Sequence, residues 1–547
     1  MDLLNNQVGM DTNQLKKRSQ MRRCQLCSKR NLTLFFLLIL LFSAFLIRHR
    51  GIKFGFPLIT HPDEPKIVKR AIRIIKTGDL NPHFFNYPSL YIYMQAAIYS
   101  TSGFFGKTFL GYKDISDFEM TTIYYLGRLF TIFFSIGTLF IVYLIGKYLF
   151  SEAAGLISAL FISFSFLHVT HSYSVTVNSP MVFWVMLSFL MSVFIFTKGP
   201  KMKYYILNGI FIGFAIGTKY TAFPAFFPML YAHFYSSSFS IKAIFNKKLI
   251  IAALLVLIAF FISTPYSLLD FDKFYHDIKH ESRHYSTGHI GSESKTTSYF
   301  HYTLTLLYEF GVIPLIISLC GILYLLIKNK KKAFFLLCFP ILYFGFIGVY
   351  KVYFSRNIIA LVPFLSLFSG FLISQIYYSI KCEPKAPIKK NSFYHIFTTK
   401  KTYFIIIFVI LACLSMYGIH NQYLKSVRYI KKITLPDTRW ISTQWIEENI
   451  PRGSKIALEF YTPRPDKKHF KIFYLGHRGL GMKRNLKKFD FLVASSGDYA
   501  RFFKNKKKYA KKVNIYNNIF ERYKLIKIFK PNGVDTTGPV IKIFKVN

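Results

Sequence analysis

Acid is what this chain has least of. Its 547 residues hold 25 Asp and Glu against 71 Lys and Arg, a formal net charge of +46. Cysteine is also scarce, with six in all. Cys24 and Cys27 make one C-x-x-C, and no second pair follows to complete a zinc site. Cys320, Cys338 and Cys413 lie in apolar runs and Cys382 in a basic loop. Residues 414–547 contain none, which excludes a disulfide framework for that region. No H-E-x-x-H pattern, no internal repeat and no nucleic-acid-binding motif occurs. The missing repeat argues against a transporter built from two related halves. The missing nucleic-acid motif turns the positive charge toward a different reading. Lys and Arg in membrane loops set orientation and meet anionic headgroups.

Apolar and aromatic residues, by contrast, are abundant: 52% hydrophobic and 19% aromatic, with 61 Phe and 38 Tyr. The apolar residues come in blocks of roughly 17–25, the length that crosses about 30 Å of hydrocarbon. The chain therefore reads as an α-helical polytopic membrane protein with about eleven transmembrane helices inside 31–418. The expected spans are 31–47, 121–149, 153–170, 180–196, 204–218, 222–234, 249–265, 303–327, 333–350, 354–380 and 403–418. A basic segment, 1–30, precedes the first span, and Arg48-His49-Arg50 follows it in place of a cleavage site. This is the pattern of an uncleaved signal-anchor with a cytoplasmic N-terminus. The cytoplasmic loops then carry Lys147; Lys198, Lys201 and Lys203; Lys242, Lys247 and Lys248; Lys328 and 330–332; and Lys381, Lys385, Lys389, Lys390, Lys400 and Lys401. All are basic, as the positive-inside rule requires.

Residues 87–105 are apolar enough to cross, but a crossing there would turn every later Lys cluster outward. They are read as a Tyr-rich juxtamembrane helix within a first outer loop, 48–120. From Gly418 the composition changes. Asp437 is placed to cap a helix over 438–449, and Pro451-Arg452-Gly453 makes a turn. Strand-like runs at 455–461, 489–494, 523–529 and 540–546 complete a small extracytoplasmic α/β domain, 419–547.

Where acid is scarce, two adjacent carboxylates beside a bilayer stand out, because an ionisable group there is poorly solvated. Asp63 and Glu64 follow His61-Pro62, and Asn86-Tyr87-Pro88-Ser89 lies a little further on. Ile67, Val68, Ala71, Ile72 and Ile75 recur at helical spacing, so 64–76 reads as an amphipathic surface helix with Asp63 at its start. There Asp63 either caps the helix or does chemistry. Lys219 ends an apolar run, where an ammonium either snorkels or grips a phosphate in the headgroup plane. Arg128 and Arg356 either pair a carboxylate or bind phosphate. The loop 270–298 is dense in titratable groups, including His280, Glu281, His284 and His289. His280 and His284 share a helix face with Glu281 nearby, so the loop either holds a metal or packs over the site.

In their order, these features resemble the GT-C fold glycosyltransferases. Within them the similarity is to the protein O-mannosyltransferase-like group (glycosyltransferase family 39) and the aminoarabinose transferases. The pieces that carry it are His61-Pro62-Asp63-Glu64, Gly78-Asp79, Tyr87-Pro88-Ser89-Leu90, Gly127-Arg128-Leu129, Thr218-Lys219-Tyr220, Thr264-Pro265-Tyr266, Gly288-His289 and Arg356. They run from about Pro57 to about Ser366. The resemblance implies a polyprenyl-phosphate sugar donor, a protein, lipid or glycan acceptor, inversion at the anomeric carbon, and no required catalytic metal or other cofactor. It maps the essential acid onto Asp63, with Glu64 beside it, and the phosphate-binding cations onto Lys219, Arg128 and Arg356. His61, Tyr87, Asn178, His280, Glu281, His284 and His289 become the remaining substrate-site candidates. It also implies a hexosyl- or mannosyl-type transferase in a bacterial inner membrane. One departure stands in Ser174-Val175-Thr176-Val177-Asn178-Ser179-Pro180, where relatives often carry an acid at the place of Asn178. Asn orients a hydroxyl but takes no proton. Two other classes stay open from sequence: a lipid or glycan flippase, and a non-catalytic scaffold.

Overall fold

Wherever water is excluded, backbone N–H and C=O groups must be satisfied within the segment itself, so the apolar blocks fold as helices. The computed structural model describes residues 12–110, 117–290, 297–382, 400–476, 479–480 and 485–546. Lys385, Lys389 and Lys390 of the expected basic loop lie outside the described residues, as does 291–296 of the titratable loop. The helices are α1 (Thr12–Arg50), α2 (Glu64–Thr77), α3 (Leu90–Leu110), α4 (Met120–Leu149), α5 (Glu152–Phe164), α6 (Phe166–Thr170), α7 (Asn178–Lys198) and α8 (Met202–Thr218). They continue with α9 (Phe226–Ser236), α10 (Lys247–Ser263), α11 (Tyr266–Leu269), α12 (Phe271–Thr287), α13 (Tyr299–Thr305), α14 (Val312–Lys328), α15 (Lys330–Gly348), α16 (Val362–Cys382) and α17 (Lys400–Ile433).

Among the described residues, seven helical stretches are long and apolar enough to cross a membrane: Asn31–Arg50, Met120–Leu149, Asn178–Lys198, Tyr299–Lys328, Lys330–Gly348, Ile359–Ile380 and Thr402–Ile433. The other four expected spans fall on shorter helices. The first breaks at Ser165 between α5 and α6, and the remaining three are α8, α9 and α10. At 17 residues, α8 and α10 are each about 25 Å long. The juxtamembrane segment forms α3, which is not among the seven.

A central apolar cluster joins α4, α7, α8, α9, α15 and α16. A second packs Ile67, Val68, Ala71 and Ile74 of α2 against Tyr91, Ile92 and Tyr99 of α3 and the start of α4. These α2 residues recur at three- and four-residue spacing, so one face is buried and the Lys and Arg face stays outside. Gly78 ends α2 at φ 71°, and its N–H bonds the carbonyl of Ile74. A side chain there would be strained, so the stop is built into the residue.

Helix α17 runs unbroken through Gly418 to Ile433. Beyond it come α18 (Thr438–Asn449), β1 (Lys455–Leu458), β2 (Lys471–Tyr474), β3 (Phe491–Ser495), α19 (Ser496–Phe503), α20 (Ala510–Arg522), β4 (Lys524–Phe529) and β5 (Ile541–Lys545). The sheet order is β2-β1-β3-β5-β4. β1 pairs in parallel with β2 and β3, and β5 lies antiparallel between β3 and β4. Apolar clusters cover both faces, as a mixed sheet packed on both sides requires.

Candidate functional site

Pro62 confines the preceding backbone to extended conformations, and Pro65 sits in the first turn of α2. Between them Asp63 takes the N-cap position, yet its side chain makes no capping hydrogen bond. Its carboxylate turns to two cations instead. Nζ of Lys66 donates to Oδ1 at 2.8 Å, and Nη2 of Arg356 lies 3.3 Å from Oδ2. Burial alone would raise the Asp63 pKa, but Arg356 and Lys66 outweigh it and hold the carboxyl at about 2. The backbone N–H of Asp63 donates to Nδ1 of His61 at 3.2 Å, which fixes that nitrogen as an acceptor. Burial lowers the His61 pKa, so the ring is neutral.

Glu64 has a different environment, and so has Arg128. Nε and Nη2 of Arg128 donate to the two Glu64 oxygens at 2.8 and 2.7 Å. Nη1 donates to the carbonyls of Ile52 and Phe54 at 2.7 and 2.9 Å. The N–H of Val175 completes the Glu64 shell at 2.9 Å, and the guanidinium lies over the Phe54 ring. Both side chains are fully buried. The expectations of Glu64 as an acid and Arg128 as a phosphate ligand therefore do not fit: the two are spent on each other. They pin the loop after α1 to α4, and this leaves Asp63, itself buried, as the carboxylate of the pair that lines a cavity.

Helix α8 stops at Thr218, where Lys219 turns extended at φ −153° and ψ 124°. The ammonium does not snorkel; Lys219 is only 7% exposed. It donates to Oδ1 of Asn178 at 3.0 Å and Oδ1 of Asn357 at 3.2 Å. Asn357 is held in turn: its Nδ2 donates to the Tyr302 hydroxyl and its carbonyl accepts from the Tyr343 hydroxyl. Asn178 thus solvates the buried Lys219 amine without adding a negative charge.

One cavity is lined by Asp63, Tyr87, Thr176, Asn178, Lys219, Tyr285 and Arg356. Five of these were singled out from sequence. Tyr87, Lys219 and Tyr285 also line a second, more aromatic cavity with Tyr220, Tyr302, Tyr343 and Tyr350. Glu281 borders it and accepts from Nδ2 of Asn86 at 2.9 Å. On the opposite side, His61 and Pro62 open toward the C-terminal domain. The loop expected over 270–298 is largely helical, as α12. Its His280 points outward and lines none of these cavities, whereas His284 Nε2 and His289 Nδ1 hydrogen-bond each other at 3.2 Å. Burial lowers the pKa of both rings, that of His289 to about 4. Among the described residues no three His, Cys, Asp or Glu converge as metal ligands.

Asn357, Tyr285 and Lys66 were not anticipated. Asn357 directly follows Arg356, and Lys66 lies one helical turn after Asp63; those adjacencies are the only sequence signals they carry.

With this geometry in view, comparisons define the fold. ArnT from Cupriavidus metallidurans, solved bound to undecaprenyl phosphate, superposes at TM-score 0.55 and 11% identity, over 92% of this chain and 97% of that one. The Archaeoglobus fulgidus oligosaccharyltransferase in its apo form gives TM-score 0.52 at 13% identity, over 87% and 71% of the two chains. AglB from the same organism, in complex with an inhibitory peptide and a dolichol-phosphate, gives 0.51 at 12%, over 91% and 74%. The fold is thus that of the GT-C glycosyltransferases. Within it, residues 121–266 match the family described as dolichyl-phosphate-mannose-protein mannosyltransferase. No curated protein matches the chain by sequence.

Proposed function

We propose that this chain is an inverting glycosyltransferase that moves a hexose from a polyprenyl-phosphate donor to an acceptor hydroxyl at the outer face of the membrane. The observation that carries the reading is the single cavity in which Asp63 meets Lys219 and Arg356. Solved proteins of this fold hold undecaprenyl phosphate and dolichol-phosphate, which supports a lipid phosphate as the leaving group. The acceptor oxygen forms a bond to the anomeric carbon as the bond to the phosphate oxygen breaks, and the electron pair leaves on the phosphate. Lys219 and Arg356 stabilise the charge that grows there. Asp63 accepts a hydrogen bond from the attacking hydroxyl and takes its proton.

A carboxylate held at about 2 is a weak base. The same Arg356 that holds it down lies beside Lys219 at the cavity, so a donor phosphate competes with Asp63 for that guanidinium. Once Arg356 turns to the phosphate, Asp63 loses its largest cationic restraint and becomes a better base. Binding the donor thereby prepares the acceptor side.

Purified protein in liposomes, given labelled polyprenyl-phosphate hexose, is expected to release polyprenyl phosphate. Asp63→Asn should lower that rate by about 10²–10⁴-fold. Wild-type turnover in this variant would refute the role of Asp63. A flippase would instead move labelled donor between leaflets without cleaving it, and the same liposomes separate the two.

A further inference from the structure

Beside the reacting cavity lies a groove between α2 and the C-terminal domain, about 310 Å³, at the lower end of ligand-sized clefts. Its wall begins at His61 and Pro62, directly before Asp63. Five cations line it: Lys66, Lys69 and Arg70 from α2, and Arg439 and Arg464 from the C-terminal domain. No Asp or Glu does. Two of the five are engaged elsewhere, Lys66 with Asp63 and Arg439 with both oxygens of Asp437. Arg70 is half-buried with its guanidinium stacked on Phe84 at 3.9 Å, which leaves Lys69 and Arg464 as the exposed charges lining the groove from its two sides, one on α2 and one on the C-terminal domain.

Resting on the transfer reaction proposed above, we infer that this groove is the acceptor subsite, and that it takes a saccharide carrying its own anionic group, a phosphate or carboxylate. The saccharide is favoured over an acidic peptide by two features. Phe460, 40% exposed, and Tyr461 offer aromatic faces in the same groove. They follow β1, which is paired on both sides by β2 and β3, so β1 has no free edge for an extended peptide to join, and the open edge strand β2 does not line the groove. Helix geometry sets the scale: Lys69 and Arg70 lie six and seven residues from Asp63, roughly 10 Å along α2. The accepting hydroxyl and the anionic group are therefore on different sugar residues.

The test is equilibrium binding to the full chain in liposomes without donor, so the result does not depend on turnover. The probes are an octyl disaccharide bearing a phosphate on one sugar and the same disaccharide without it. The phosphorylated probe should bind at least about tenfold more tightly at low salt, with the difference shrinking at high ionic strength. In the double variant Lys69→Gln, Arg464→Gln, both at exposed positions, the preference should fall below about threefold. Equal affinity for the two probes would overturn the inference, as would an unchanged preference in the double variant or tighter binding of an acidic peptide of similar size. Probe discrimination without hexose transfer would count against the transfer reading and leave the subsite standing. Transfer without discrimination would do the reverse.

Discussion

Replacing Arg356 by Gln isolates the coupling between the leaving-group cation and the acid. In the resting protein the Asp63 carboxyl lies at about 2 rather than 3.8, a gap worth roughly 2–3 kcal/mol. Burial opposes that shift; Arg356 is the largest cause supporting it, and Lys66 follows. Lys66 is 48% exposed, so water and salt screen it more than they screen Arg356. Without the guanidinium, burial faces mainly Lys66, and the Asp63 pKa should climb back into the ordinary carboxylate range, about 4 or above. The sign follows directly. Asp63 acts ionised, so activity falls as pH drops through its pKa, near pH 2 in the wild type and near pH 4 in the variant. The assay is kcat/KM for hexose release between pH 4 and 8, which reports ionisations of the free enzyme. Each profile is normalised to its own plateau, because Arg356→Gln also weakens donor binding. Burial pushes the Lys219 ammonium down to about 7, so activity should fall above that pH in both proteins. From about pH 6 down to pH 4 the wild type should be flat, while the variant should have lost about half its activity at pH 4. Superimposable normalised profiles would refute both the coupling and the assignment of Asp63.

Two further outcomes follow from the same contacts. Lys219→Gln removes a buried charge otherwise offered to the donor; charged hydrogen bonds of this kind contribute about 1.5–3 kcal/mol, so donor KM should rise about 10- to 100-fold in the liposome assay. Glu64→Ala leaves Arg128 buried and unpaired, which should cost about 3–5 kcal/mol and lower the thermal midpoint; Glu64→Gln with Arg128→Met should recover most of it.

The part of this molecule legible in its sequence is the part written in local patterns. Apolar blocks declared helices, and the α2 stripe declared which face is buried. Asp63, Lys219 and Arg356 were visible as polar residues beside apolar runs, whereas Tyr87 and Asn178 became site candidates only through the family resemblance. That Arg128 pairs a carboxylate was one open alternative, but its partner was not legible, because Glu64 is 64 positions away and the carbonyls that complete the pair, Ile52 and Phe54, carry no side-chain signal. Arg48 reads as a charge flanking the first span, yet it is fully buried and bonds Ser135 and the Ser163 carbonyl. In the C-terminal domain the buried strands β1, β3 and β5 had apolar runs to announce them. The edge strand β2, Lys471–Tyr474, is largely exposed, so its short sequence lacks the contrast that marks a core strand. Loss of hydropathy after Gly418 marks a change of surroundings, while the helix itself continues to Ile433.

Charge balance in the cavity argues for the order of events at the site. Asp63 contributes one negative charge and Arg356 one positive; Lys219, pushed down to about 7 by burial, supplies a second positive charge in full once an anion sits beside it. A sugar-phosphate diester brings one negative charge, so the loaded site is close to neutral. In the proposed transfer, cleavage would turn the diester into a monoester and add negative charge to the phosphate, which the two cations would stabilise more strongly than they stabilise the substrate. That difference, and not tight binding of the donor itself, is what accelerates a reaction. A carboxylate in place of Asn178, 3.0 Å from the Lys219 ammonium, would cancel part of this excess. Asn holds the ammonium at the same point and leaves its charge to the leaving group.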